Sequence, residues 1–102
     1  MHRRQPGDNV KYQLNPDAAF REVAGEVFVV TSDRALHQFT NATATTVFRT
    51  LRVGPATVGA LATELGRHYE VDYNRALTDV SSFVATLVER DILAPISAPV
   101  GG

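Results

Sequence analysis

The sequence predicts an α+β domain of winged-helix type, a three-stranded antiparallel sheet followed by a three-helix bundle in the order β-β-β-α-α-α. Two observations predict it. Before Thr40, apolar residues come in short bursts rich in β-branched and aromatic side chains, whereas after Asn41 they recur every three or four residues. The junction, "RALHQFTNATATTVF" from Arg34 to Phe48, passes from one rhythm to the other with no room for a long loop.

Three segments read as strands: "AFREV" (Ala19 to Val23), "EVFVV" (Glu26 to Val30) and "ALHQF" (Ala35 to Phe39). The pairs Ala24-Gly25 and Ser32-Asp33 are hairpin-sized links, so an antiparallel meander is the simplest arrangement. "EVFVV" is the most continuously apolar, as suits a central strand. The stretch before it, residues 1–15, reads as a flexible leader, residues 16–94 as the folded domain, and 95–102 as a fraying tail of small residues, Pro and Gly.

Thr40 and Asn41 are both good N-caps for a first helix whose core residues are Ala44, Val47, Phe48 and Leu51, and Gly54-Pro55 ends it. Thr57 caps a second helix with the stripe Val58, Leu61, Ala62, Leu65 and Tyr69. Its interior Gly59 costs roughly 0.5–1 kcal/mol against Ala. Asp72 caps the third and longest, whose apolar band of Tyr73, Ala76, Leu77, Val80, Phe83, Val84, Leu87 and Val88 is wider than one buried face requires. Asp91 stands where Gly normally ends a helix in a left-handed turn, and Ile92-Leu93 return to the core.

Composition excludes several classes of function. With 44% hydrophobic and 21% charged residues, the 102-residue chain is an ordinary globular domain with a modest core. A net charge of −1 offers no overall attraction to nucleic acid or an anionic membrane. No apolar run is long enough to span a bilayer, and the basic start lacks the apolar stretch of a signal peptide. The absence of Cys removes disulfides, Cys-based zinc sites and thiol nucleophiles, and is compatible with the cytoplasm.

Nothing resembles an active site. His2, His37 and His68 have no acidic or His neighbour at ligand spacing, so neither a metal nor a cofactor is expected. Ser81 and Ser82 lie mid-helix without a nearby base, and "GPATVG" lacks the Lys-Ser/Thr of a phosphate loop. The feature that remains is the third strand. A meander leaves its last strand unpaired on one edge, and this one carries few charges after Arg34 and no Pro to blunt it. Such an edge can accept another chain, and one shoulder of the wide third helix, with Asp79 beside Phe83, can line a groove next to it. The plainer alternative is that His37 and Gln38 simply face water and the small domain buries more of its longest helix.

With the elements in this order, the sequence resembles the PqqD-like family of peptide-binding domains, the RiPP recognition elements. The resemblance is carried by "NPDAAFREVAGEVFVV", "NATATTVFRTLRVGPATVGALATELGRHYEVD" and "DVSSFVATLVERDIL", with Asp79-Val80, Phe83, Leu87 and Ile92-Leu93 matching the family's last-helix pattern. It departs in two places: Phe39-Thr40-Asn41 stands where a Leu-Asn pair is usual, with either Phe39 or Thr40 replacing the Leu, and Asp91 replaces Gly.

The resemblance implies a non-catalytic protein that binds the leader of a ribosomally made precursor peptide. The leader would be added as a strand to the third strand, packed toward the third helix, and presented to a modifying enzyme such as a radical-SAM protein or a leader peptidase. The leader-binding residues it implies are Arg34, Ala35, Leu36, His37, Gln38 and Phe39, with Ala76, Asp79, Val80, Phe83 and Val84. The expected state is a monomer or weak homodimer in the cytoplasm.

Two other readings compete. A DNA-binding winged helix needs a basic recognition helix, yet the helix from Asp72 carries Asp72, Asp79, Glu89 and Asp91 against Arg75 and Arg90. A structural dimer would close two open edges against each other.

Overall fold

The computed structural model describes residues 10–96. In chain order they form β1 (Lys11–Leu14), β2 (Ala19–Val23), β3 (Glu26–Val30), β4 (Leu36–Phe39), α1 (Ala42–Val53), β5 (Ala56–Thr57), α2 (Val58–His68), α3 (Tyr73–Glu89) and β6 (Leu93–Ile96). The expected meander and three helices are present as β2-β3-β4-α1-α2-α3, an α+β fold with β3 at the centre of its sheet.

A second three-stranded sheet, ordered β5-β1-β6, was not expected. Lys11 pairs with Ile96, Tyr12 with Pro95, Gln13 with Ala94 and Leu14 with Leu93, all antiparallel. The segment read as a flexible leader therefore contains a paired strand, and the segment read as a tail contains the end of another. The rest of both, 1–9 and 97–102, lies outside the described residues. "KYQL" does alternate, with Tyr12 and Leu14 packed against the core, but four residues are too short a run to stand out, and "LAPI" contains a Pro; Pro95 is tolerated because β6 is an edge strand.

Each hairpin follows from its turn. Ala24 (φ 52°) and Gly25 (φ 82°) both adopt positive φ, the signature of a two-residue type I′ turn whose twist matches the flanking strands. The second loop is three residues rather than two. Arg34 N–H donates to Thr31 O at 2.8 Å, Thr31 N–H donates to Ala35 O at 3.0 Å, and Arg34 sits in the left-handed region at φ 68°. The third strand accordingly begins at Leu36, one residue later than the sequence suggested.

Val27 and Val29 of β3 are fully buried against the helices. Phe48 of α1 is the centre of an aromatic cluster, 5.9 Å from Phe20, 5.6 Å from Phe39 and 6.2 Å from Phe83 between ring centroids. Beyond this cluster, α2 and α3 pack on α1 through Leu61, Ala62, Leu65, Ala76, Val80, Val84 and Leu87, all buried.

The predicted caps are in place. Asn41 rather than Thr40 caps α1, its Oδ1 accepting from Ala44 N at 2.8 Å, and Thr57 and Asp72 do the same for α2 and α3. At Gly59 a Cβ would lie 3.2 Å from the Tyr73 hydroxyl, so the Tyr73 side chain of α3 reaches over α2 at this point. At the end of α3, Asp91 N–H donates to Val88 O and Ile92 N–H to Leu87 O, with Asp91 at φ 60°. This is a Schellman turn completed by a non-glycine residue. It throws Ile92 and Leu93 into the core, each at most 2% exposed, and launches β6.

Two stability changes follow. Asp91→Gly relieves a left-handed side chain and should raise unfolding free energy by about 0.5–1 kcal/mol in urea titration. Phe48→Ala, removing the ring that joins sheet and helices, should cost about 3–5 kcal/mol.

Candidate functional site

The candidate site is built on β4. Among the described residues β4 is hydrogen-bonded on one side only, to β3, in the register Val27–Phe39, Phe28–Gln38, Val29–His37 and Val30–Leu36. Antiparallel ladders alternate bonded and non-bonded pairs. Because Thr31 N–H donates to Ala35 O, the bonded pairs continue at Val29–His37 and Val27–Phe39. The N–H and C=O groups of Leu36 and Gln38 therefore point away from β3, along the open edge. Side-chain direction alternates too: His37 and Phe39 face the helices, half-buried, while Leu36, 65% exposed, and Gln38 face solvent.

The other edge of the sheet, β2, is also unpaired among the described residues, but it carries Arg21 and Glu22. Glu22 is held by the Arg49 guanidinium of α1 through Nε at 3.0 Å and 3.1 Å, and hydrogen bonding from Arg49 lowers the Glu22 carboxyl below its ordinary range. Charged side chains protect that edge from strand addition. The strand of β4 has no such guard, so the two edges are not equivalent.

The loop that leads into β4 is braced by Asp33. Its Oδ1 accepts from the Thr31 hydroxyl and from Ala35 N–H, the latter at 3.1 Å. The Thr31 hydrogen bond, followed by that of Ala35, lowers the Asp33 carboxyl from its ordinary 3.8. Arg34 is exposed at the corner, next to the first open residue of β4.

Where β4 ends, a groove of about 340 Å³ opens between the start of α1 and the middle of α3, lined by Asn41, Thr43, Asp79, Ser82, Phe83 and Thr86. Phe83 links it to the strand, meeting Phe39 edge-to-face at 5.5 Å. Asp79 Oδ2 lies 3.6 Å from Arg75 Nε in a long, exposed pair. Of the sequence-named residues, the structure thus sets Phe39 against Phe83, with Asp79 in the adjoining groove; Leu36, His37 and Gln38 lie along the same strand, with Arg34 and Ala35 at its hairpin end.

It does not bring Ala76, Val80 or Val84 to that surface. They are 0%, 0% and 2% exposed, spent on the core that joins α3 to α1 and α2. The band on α3 is wide because its centre packs inward and only the Asp79–Phe83 shoulder turns toward the groove. Sequence reasoning missed Ser82 and Thr86, although Asp79, Ser82, Phe83 and Thr86 share one helical face at spacings of three and four. Asn41 and Thr43 had no such signal, because only the packing of α1 against α3 puts them there.

A larger cleft of about 690 Å³ lies at the far end of α1, between Thr46, Arg49, Val53, Pro55, His68 and Tyr69 among others. Its charged groups are already paired, Arg49 with Glu22 and His68 Nε2 with Glu64 Oε1 at 3.4 Å, and it does not adjoin β4.

Comparison with known proteins gives a family and a fold. The family described as coenzyme PQQ synthesis protein D (PqqD) matches residues 38–93, more than half of the chain. Among solved structures, the chain is similar to "TbiB1 in Complex with the TbiA(beta) Leader Peptide" with a TM-score of 0.75 and 14% identity, over 84% of this chain and 99% of that one. No curated protein matches.

The brace at Asp33 generates a pH dependence. A carboxyl with a depressed folded pKa stabilises the fold above its unfolded value and loses that contribution as pH falls through the lower, folded one. Asp33→Asn should therefore flatten the fall of Tm measured below about pH 4, leaving the plateau at neutral pH lower than in the parent chain.

Proposed function

The chain belongs to the PqqD family, and on that premise we propose that it captures the leader of a ribosomally synthesised precursor peptide as an added strand on β4 and presents it to a modifying enzyme. One observation carries the reading: Leu36 and Gln38 turn outward, beside the Phe39–Phe83 groove, backbone groups that are unpaired among the described residues. A similar fold has been solved in complex with a leader peptide, which supports a leader as the ligand.

The physics of strand addition fits an adaptor. Each added main-chain bond contributes roughly 0.5–1.5 kcal/mol net, and a buried apolar anchor about 1.5–3 kcal/mol. Ordering a disordered leader subtracts on the order of 2–5 kcal/mol before the cost of association is counted. Backbone pairing is nearly blind to sequence, so side chains reaching the groove supply selectivity. Arg34 through Phe39 form the docking edge and Asp79 and Phe83 the groove wall, while Ala76, Val80 and Val84 hold that wall in place from the core.

The role is binding rather than catalysis. The partner is a peptide-modifying enzyme, of radical-SAM or leader-peptidase type, and the working location is the cytoplasm. No helix among the described residues is long and apolar enough to cross a membrane. The binding domain is taken to run from β1 through β6, wider at both ends than residues 16–94.

The experiment uses a random peptide library panned on the wild-type protein, followed by calorimetry with the selected peptides. Leu36→Pro and Gln38→Pro each remove one outward donor without breaking a bond to β3, so circular dichroism should stay unchanged while affinity falls by at least about tenfold. Gln38→Ala, which keeps the backbone, should bind within about threefold of wild type. Equal affinity in both proline variants removes β4 from the mechanism.

A further inference from the structure

The groove at the end of β4 has a chemistry of its own. Of its six lining residues, Asn41, Thr43, Ser82 and Thr86 are polar and uncharged, Phe83 is aromatic, and Asp79 alone is ionisable. An aliphatic side chain placed there would strip water from four polar groups and return nothing. The Asp79 carboxylate makes no hydrogen bond among the described residues; its ion pair there is with Arg75, at 3.6 Å and with both side chains substantially exposed. Such a pair at helical spacing contributes little and is readily exchanged. The first turn of α1 adds a partial positive charge, but Ala44 N–H is already taken by the Asn41 cap, so the full charge on Asp79 dominates.

Phe83 completes the arrangement. It is only partly buried and meets Phe39 edge-to-face, so part of its ring remains accessible to a guest. A partly exposed aromatic ring beside an underused carboxylate matches a planar or compact cation, which is attracted by the ring and donates hydrogen bonds to the oxygen.

Resting on the strand-addition reading above, we propose that Asp79 and Phe83 form a cation-selecting subsite, and that the bound leader carries an Arg or Lys at the position whose side chain enters this groove. Arg satisfies both partners best, because its guanidinium can lie against Phe83 while donating to Asp79. The added strand would then be read at two levels: its backbone by Leu36 and Gln38, and one basic residue by Asp79. That basic residue fixes the register of a strand that backbone pairing alone would leave free to slip by two.

The test pans the same random peptide library on wild type, Asp79→Asn and Asp79→Lys. Wild-type binders should share one basic position within an extended stretch. Changing that residue to Gln in a synthetic copy of the best binder should weaken binding about tenfold, and the loss should shrink in high salt. Asp79→Asn should erase the preference, and Asp79→Lys should select Asp or Glu at the same position. Peptides that lose affinity on Leu36→Pro but show no basic position, or that bind Asp79→Asn as tightly as wild type, overturn the subsite and leave strand addition standing. Peptides indifferent to Leu36→Pro overturn strand addition and the subsite with it. Asp79 is partly exposed, and unchanged circular dichroism and Tm of its variants establish that the readout is binding rather than folding.

Discussion

The ring of Phe48 is the contact on which the rest depends. From α1 it touches Phe20 on one edge strand, Phe39 on the other and Phe83 on α3, so a single buried side chain sets the distance between the sheet and the helices. Aromatic rings bury large areas and prefer tilted or edge-to-face contacts, which makes this spacing stiff. Because Phe39 is itself on β4, the same contact that anchors the core also holds the open strand at a defined distance from α3. The groove is a by-product of that spacing. It exists because Phe39 and Phe83 meet edge-to-face near the surface.

A small domain with an unguarded strand needs compensation elsewhere. Part of it comes from the second sheet, in which β1 lies between β5 and β6 and ties the two ends of the described chain together. Its hydrogen bonds satisfy backbone groups that would otherwise be left to water, and they clamp the exit of α3, whose final turn is also fixed by Asn15 donating to Asp91 O at 2.8 Å. The sheet that ties the ends of the described chain together and the sheet with the open β4 edge are thus different sheets.

Left-handed residues mark the corners of this design. Ala24, Arg34 and Asp91 all hold positive φ without being glycine, and each sits where the chain reverses or leaves a helix. At Arg34 the consequence is functional geometry: the extra loop residue sets which β4 groups face β3 and which face outward. Had Ser32-Asp33 formed a two-residue turn, the pairing would shift by one and the opposite set of side chains would face the helices.

Local rules decided much of this protein. The β-branched bursts, the three- and four-residue spacing after Asn41, the caps at Asn41, Thr57 and Asp72, and the left-handed Asp91 are short-range effects, and each is legible because its cause lies within a few residues of itself. The scarcity of charge after Arg34 and the absence of Pro marked the open edge in the same way. Tertiary structure alone decided the β1–β6 pairing, since residues about eighty positions apart share no local signal. It also decided which part of the wide α3 band is core, consuming Ala76, Val80 and Val84 and leaving Asp79 and Phe83, because a helix's sequence shows how wide its apolar face is but not where its neighbours stop. And it decided that Asn41 and Thr43 face Asp79, since two helix faces meet there only after the Phe48 cluster has set their separation.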